Sequence, residues 1–127
     1  MNRIALVISI SGMLLLSCER YLGKSIESPV VDNNSVTFRL KNQAAEVVQV
    51  AGDWNNWSEG DADEGEVFVG LMTRNDSVSC WERTVELERG RYKYRFLINE
   101  SVWLLDSNNP RIVNDGKGGK ANLLIVP

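Results

Sequence analysis

The stretch "RYKYRFLIN", Arg91 to Asn99, decides the fold. Its ring-bearing and branched residues recur at every second position, which is the period of a β-strand. Tyr92, Tyr94, Phe96 and Ile98 therefore share one face and belong in a core. Lys93, Arg95, Leu97 and Asn99 share the other, which places the many-donor guanidinium of Arg95 at a surface. Upstream, "ERG" supplies a tight turn, and downstream "INESVW" brings the chain back alongside. By the same alternation, if Val102 and Leu104 point inward, Trp103 points outward near Arg95.

Working outward, the same signal repeats. "VTFRL", "EVVQVAG", "EVFVGLMT", "SCWERTVEL", "SVWLL" and "NLLIV" are short, rich in β-branched residues and separated by turn formers. No helical period of useful length occurs. With the first stretch they make seven strands, and the fold class expected is all-β, an antiparallel β-sandwich over residues 36–127. Phe38 and Trp81 are expected in its core.

The 127 residues allow one domain. The N-terminus reads differently from the rest. "MNR" is followed by the apolar run "IALVISISGMLLL" and by "SC", the layout of a secretory signal over residues 1–17. "LLSC" resembles the lipobox of bacterial lipoproteins, with Cys18 as the lipidated N-terminus; ordinary secretion and a membrane anchor are the alternatives. Residues 18–35 then read as a flexible tether. The expected location is the cell envelope, with the membrane engaged through the N-terminal lipid. Removing Arg3 changes the formal charge from −3 to −4, 13 basic against 17 acidic residues. An acidic domain without a basic run argues against nucleic acid as partner. Lipid on Cys18 would leave Cys80 as a lone, buried thiol. The chain has no histidine, which removes Ser–His and Cys–His catalysis and the commonest zinc ligand.

One stretch breaks the pattern. "VAGDWNNWSEG", Val50 to Gly60, sets Trp54 and Trp57 among turn formers. Flat rings at a surface suit the apolar face of a sugar. Covering about half of a Trp at roughly 25 cal/mol per Å² yields about 2–3 kcal/mol. Two such rings with hydrogen bonds from Arg and Asn side chains to hydroxyls give about 4–7 kcal/mol net of the association cost, weak binding suited to a polymer of repeated sites.

The same residues resemble the family 48 carbohydrate-binding modules, which include the N-terminal domains of isoamylase and glycogen-branching enzymes and the glycogen-binding domain of AMP-activated protein kinase β subunits. "VAGDWNNWSEG" is similar to the family's Gly-x-Phe-Asn-x-Trp turn. "LERGRYKYRFLINESVW" is similar to its Tyr-x-Tyr-Lys-Phe hairpin block, "DSNNPRIVNDGKGG" to its Asp-Pro-x-Asn-Pro loop and "KANLLIV" to its closing strand. The resemblance implies an immunoglobulin-like (early-set) sandwich that binds α-1,4-linked glucan without catalysis or cofactor. It implies stacking on Trp57 and Trp103, hydroxyl contacts from Arg95 and from Asn122, and an inward, structural Trp54. Arg95 stands where the family has Lys. The hairpin "NES" is one residue longer than the family's, which bears on where Trp103 lands.

Other motifs are weaker. The acidic "EGDADEGE" (Glu59 to Glu66) lacks the spacing of a calcium loop, so no metal is expected. "GKGGK" lacks the final Ser or Thr of a phosphate loop. The competing function is a sandwich that docks an envelope protein through the same aromatic pair. A third is an accessory subunit that presents glucan to a glycan-processing enzyme. Sugar binding requires Trp57 and Trp103 on one accessible surface with Arg95 between or beside them.

Overall fold

The computed structural model describes residues 26–58, 70–75 and 80–127. Nine strands appear among them, all paired antiparallel. They are β1 (Val30–Asp32), β2 (Ser35–Lys41), β3 (Val48–Gly52), β4 (Thr73–Asn75), β5 (Cys80–Glu86), β6 (Gly90–Ile98), β7 (Val102–Leu104), β8 (Ile112–Asn114) and β9 (Lys120–Val126). One sheet has the order β1-β2-β5-β4. The other runs β3-β6-β9-β8, with β7 paired to the far half of β6. The protein is an antiparallel β-sandwich.

The alternation expected from the sequence sets the core. Val36, Phe38 and Leu40 of β2 face Tyr94, Phe96 and Ile98 of β6, and Leu124 and Val126 of β9 complete the layer. Trp81 is buried and donates Nε1–H to the Asn42 carbonyl at 3.1 Å. The centre is aromatic. Phe38 lies parallel to Trp54 at 5.3 Å and edge-on to Tyr94 at 4.8 Å. Trp54 also meets Tyr92 edge-on at 6.1 Å, so its expected structural role holds.

A buried polar hub sits at one end of the sandwich. Asp106 accepts from the Tyr94 hydroxyl at 2.8 Å and from the Asn108 backbone at 3.0 Å. It is also hydrogen-bonded to Ser28, whose Oγ accepts from the Arg39 backbone of β2 at 3.0 Å. The hub thus links the two sheets. Burial raises the Asp106 pKa. Burial first, and the Asp106 charge next, raise that of Tyr94, which stays protonated.

Several expectations need correction. The domain starts before residue 36: Ile26 is buried and β1 pairs with β2, so the C-terminal part of the expected tether is a strand of the sheet. β1 and β8 were not legible, being only three residues each. Val102 and Leu104 share the face of Ile98 and Phe96 through their register. Yet they stay 56% and 38% exposed, because direction alone does not supply a covering layer. Cys80 is buried as expected but disulfide-bonded, not a free thiol. The leader, Cys18 and the acidic loop lie outside the described residues, as does the first half of the expected strand "EVFVGLMT".

Candidate functional site

The two sheets differ on their outer faces. The β1-β2-β5-β4 sheet carries ordinary polar cross-strand pairs, Thr37 with Thr84 and Arg39 with Glu82 at 2.7 Å. The other sheet carries a concavity of about 390 Å³ lined by Asp53, Trp57, Lys93, Arg95, Trp103, Asp115 and Lys117. Three elements build it: the turn after β3, the β6–β7 hairpin and the β8–β9 hairpin.

The turn after β3 is fixed from within. Asn55 Oδ1 accepts from Gly52 N at 2.9 Å, and its Nδ2 donates to the Val50 carbonyl at 2.8 Å. A side chain on Gly52 would collide with the Trp54 ring and stand 2.8 Å from the Lys93 carbonyl. Glycine is therefore required where Trp54 dives into the core. Asn56 and Trp57 follow in left-handed conformation, φ 54° and 57°. For a bulky residue this costs roughly 1–3 kcal/mol. The strain is offset by a hydrogen bond from Trp57 Nε1 to Asp53 Oδ1 at 3.1 Å. The other oxygen of Asp53 accepts from Lys93 N on β6 at 2.8 Å, so one carboxylate ties the turn to the sheet and orients the ring.

Trp103 arrives from the opposite side. The hairpin turns through Asn99 and Glu100, both left-handed, and closes with Ser101 N donating to the Ile98 carbonyl at 3.0 Å. Trp103 then pairs with Leu97, on the same outer face as Arg95, and is 44% exposed. The longer hairpin does not misplace it. The rings of Trp57 and Trp103 lie 6.4 Å apart at an interplanar angle of 66°. The Arg95 guanidinium sits 5.2 Å from one ring centroid and 5.0 Å from the other. Arg95 also donates to the Lys120 carbonyl at 3.3 Å and faces Asp115 at 3.6 Å. It is wedged between the rings, with Nη1 engaged by Lys120 and Asp115 and Nε buried without a hydrogen-bond partner.

Asp115 organises the third wall. Its Oδ1 accepts from Lys117 N at 2.7 Å and Gly119 N at 3.0 Å. Those two bonds are the main cause of a carboxyl pKa below its ordinary value. The turn needs left-handed residues at Gly116 and Gly118, φ 84° and 89°, so the "GKGG" run is an ordered turn.

Asn122 is the site residue that fails. It is 0% exposed. Its Nδ2 donates to the carbonyls of Asp106 and Asn109 at 3.0 and 3.1 Å, and its Oδ1 accepts from Asp106 N at 2.7 Å. It shares the inward face of Tyr94, its register partner. The outward neighbour on β9 is Ala121, also buried. The resemblance carried the residue type but not the register, and the site has no amide on this strand. Asp53, Lys93, Asp115 and Lys117 were not singled out from sequence. Only their placement in turn motifs and on the outward face of β6 hinted at them.

The profile described as the glycogen recognition site of AMP-activated protein kinase matches residues 34–127. The chain belongs to this family. The glycogen-recognition match covers the whole sandwich from β2 onward and all three walls of the concavity. No curated protein sequence matches the chain. Among solved structures, the Klebsiella pneumoniae pullulanase complexed with maltotriose is similar over 78% of this chain, with a TM-score of 0.56 and 15% identity. At that identity the likeness concerns the fold. The chain spans only 9% of the pullulanase chain.

Proposed function

We propose that the domain binds α-1,4-linked glucan by stacking successive glucose rings on Trp57 and Trp103, without chemistry. The observation that carries this is the pair of indoles, 6.4 Å apart and inclined at 66° over one guanidinium in a single concavity. An α-1,4-linked chain curves, so its successive ring faces are inclined to one another, and two inclined platforms suit it better than two parallel ones. Arg95 holds the platforms apart. Hydroxyls meet Lys93 and Lys117 at the rim. Neither ring is buried and the two do not face apart, the two arrangements that would have favoured docking of a protein.

Native electrophoresis through gels cast with glycogen tests the reading. The parent chain should be retarded, and Trp57→Ala and Trp103→Ala should each relieve the retardation with melting temperature within a few degrees of the parent. An unretarded parent sinks it.

We further infer that the domain is exported from the cytoplasm, with anchoring at the cell envelope through Cys18 as the point to be tested. The charged-then-apolar leader supports export, and the disulfide at Cys80 fits an oxidising compartment. The chain has two cysteines, and a sulfur in a disulfide cannot carry a lipid thioether. Intact mass of membrane-extracted protein decides. A lipid-bearing Cys18 supports the anchor; a Cys18–Cys80 bond leaves export without that anchor.

A further inference from the structure

The concavity is lined by charge of both signs. Its cations are Lys93, Arg95 and Lys117, and its anions are Asp53 and Asp115. Both carboxylates already work inside the protein. Asp53 accepts from Trp57 Nε1 and Lys93 N. Asp115 accepts from Lys117 N and Gly119 N and faces Arg95. Each aspartate therefore pins the backbone of one lysine, while neither ammonium lies within ion-pair distance of a carboxylate among the described residues, the Lys117 charge acting on Asp115 only from further off. The amide that would serve a neutral hydroxyl as both donor and acceptor has turned inward at Asn122. Around the stacking platform stand donors carrying charge, on a chain whose net charge is −3.

We infer that the site prefers an α-glucan carrying phosphate monoesters over the unmodified polymer, with Lys93 and Lys117 receiving the phosphate. This rests on the glucan-binding reading and names the substrate class within it. A phosphate monoester carries about −1.5 to −2 charges at neutral pH and offers three acceptor oxygens. Two flexible ammonium groups on pinned backbones suit a substituent whose position varies along a polymer. Charge-assisted hydrogen bonds at a half-exposed site support a preference of about tenfold at low salt, eroding as salt screens the pair.

Titration calorimetry of the full chain tests this with maltoheptaose, maltoheptaose bearing phosphate monoesters, and inorganic phosphate. The ratio of the two oligosaccharide affinities is read within the parent and within the K93Q/K117Q variant, at low and high salt. The expected result is a preference of about tenfold in the parent, shrinking with salt and falling to near unity in the variant. Maltoheptaose bound as tightly as its phosphorylated form overturns the preference and leaves glucan binding standing. A preference that survives in the variant overturns the assignment to the two lysines. Inorganic phosphate bound as tightly as the phosphorylated oligosaccharide reveals a bare ion site and overturns it too. Binding of neither oligosaccharide overturns the glucan reading itself.

Discussion

Asp53 does more for the site than its place in a turn suggests. One carboxylate orients the Trp57 indole, and the same group holds the turn against β6. Replacing it with Ala frees a ring whose backbone is in an unfavourable region. Asp53→Ala should lower glycogen affinity about five- to thirtyfold, equivalent to about 1–2 kcal/mol. Asp53→Asn keeps one accepting oxygen and should fall between Ala and the parent. Affinity electrophoresis gives the loss, and tryptophan fluorescence of the unliganded protein should change in the same order. An Asp53→Ala variant that binds like the parent removes Asp53 from the positioning of Trp57. The residue was legible as a turn former, but nothing in the sequence tied it to Lys93, which lies forty positions away.

At the scale of elements, the site is made by two hairpins and a turn that meet over β6. The β8–β9 turn is held by Asp115, whose carboxyl pKa is lowered by the backbone donors of Lys117 and Gly119. A depressed folded pKa means a contribution present above the ordinary carboxylate range and lost as pH falls through the folded value. Glucan affinity should therefore stay level from neutral down to about pH 5 and decline only in stronger acid. In Asp115→Asn the amide still accepts from both backbone donors but turns an N–H toward Arg95. Affinity should drop about two- to fivefold at neutral pH, with a smaller acid step. An affinity that falls between pH 7 and about 5 would contradict this assignment. Gly52→Ala tests the neighbouring turn. A Cβ meets Trp54 and the Lys93 carbonyl, and thermal unfolding should show a loss of about 1–3 kcal/mol.

Across the whole molecule, the buried hub at Asp106 joins the sheets. The Tyr94 hydroxyl receives from Asn109 Nδ2 at 3.0 Å and so must donate to Asp106. Asp106→Asn confronts either this hydroxyl or the Asn108 N–H with another donor, and denaturant unfolding should show a loss of about 1–3 kcal/mol. Here the pH sign is opposite to that of Asp115. Burial raises the folded pKa of Asp106, so its protonation favours the folded state, and that gain grows as pH falls through the raised value toward the ordinary one.

The strands were legible where the alternation ran long. β2, β5, β6 and β9 carry seven to nine residues each, enough for a period of two to fix which side faces in. Trp57, Trp103 and Arg95 followed from that parity and from the turn around them. Sequence alone determined the sandwich and the side of β6 on which the site lies, because alternation and turn chemistry act between near neighbours. Asn122 shows where that stops: one step of register on β9 decides between the outer surface and the core. The wedging of Arg95 between two rings, the pinning of both lysines by aspartates and the extent of cover over Val102 and Leu104 were decided only in the tertiary structure. Each depends on which elements the fold brings side by side, and no local pattern encodes a distance between segments far apart in the chain.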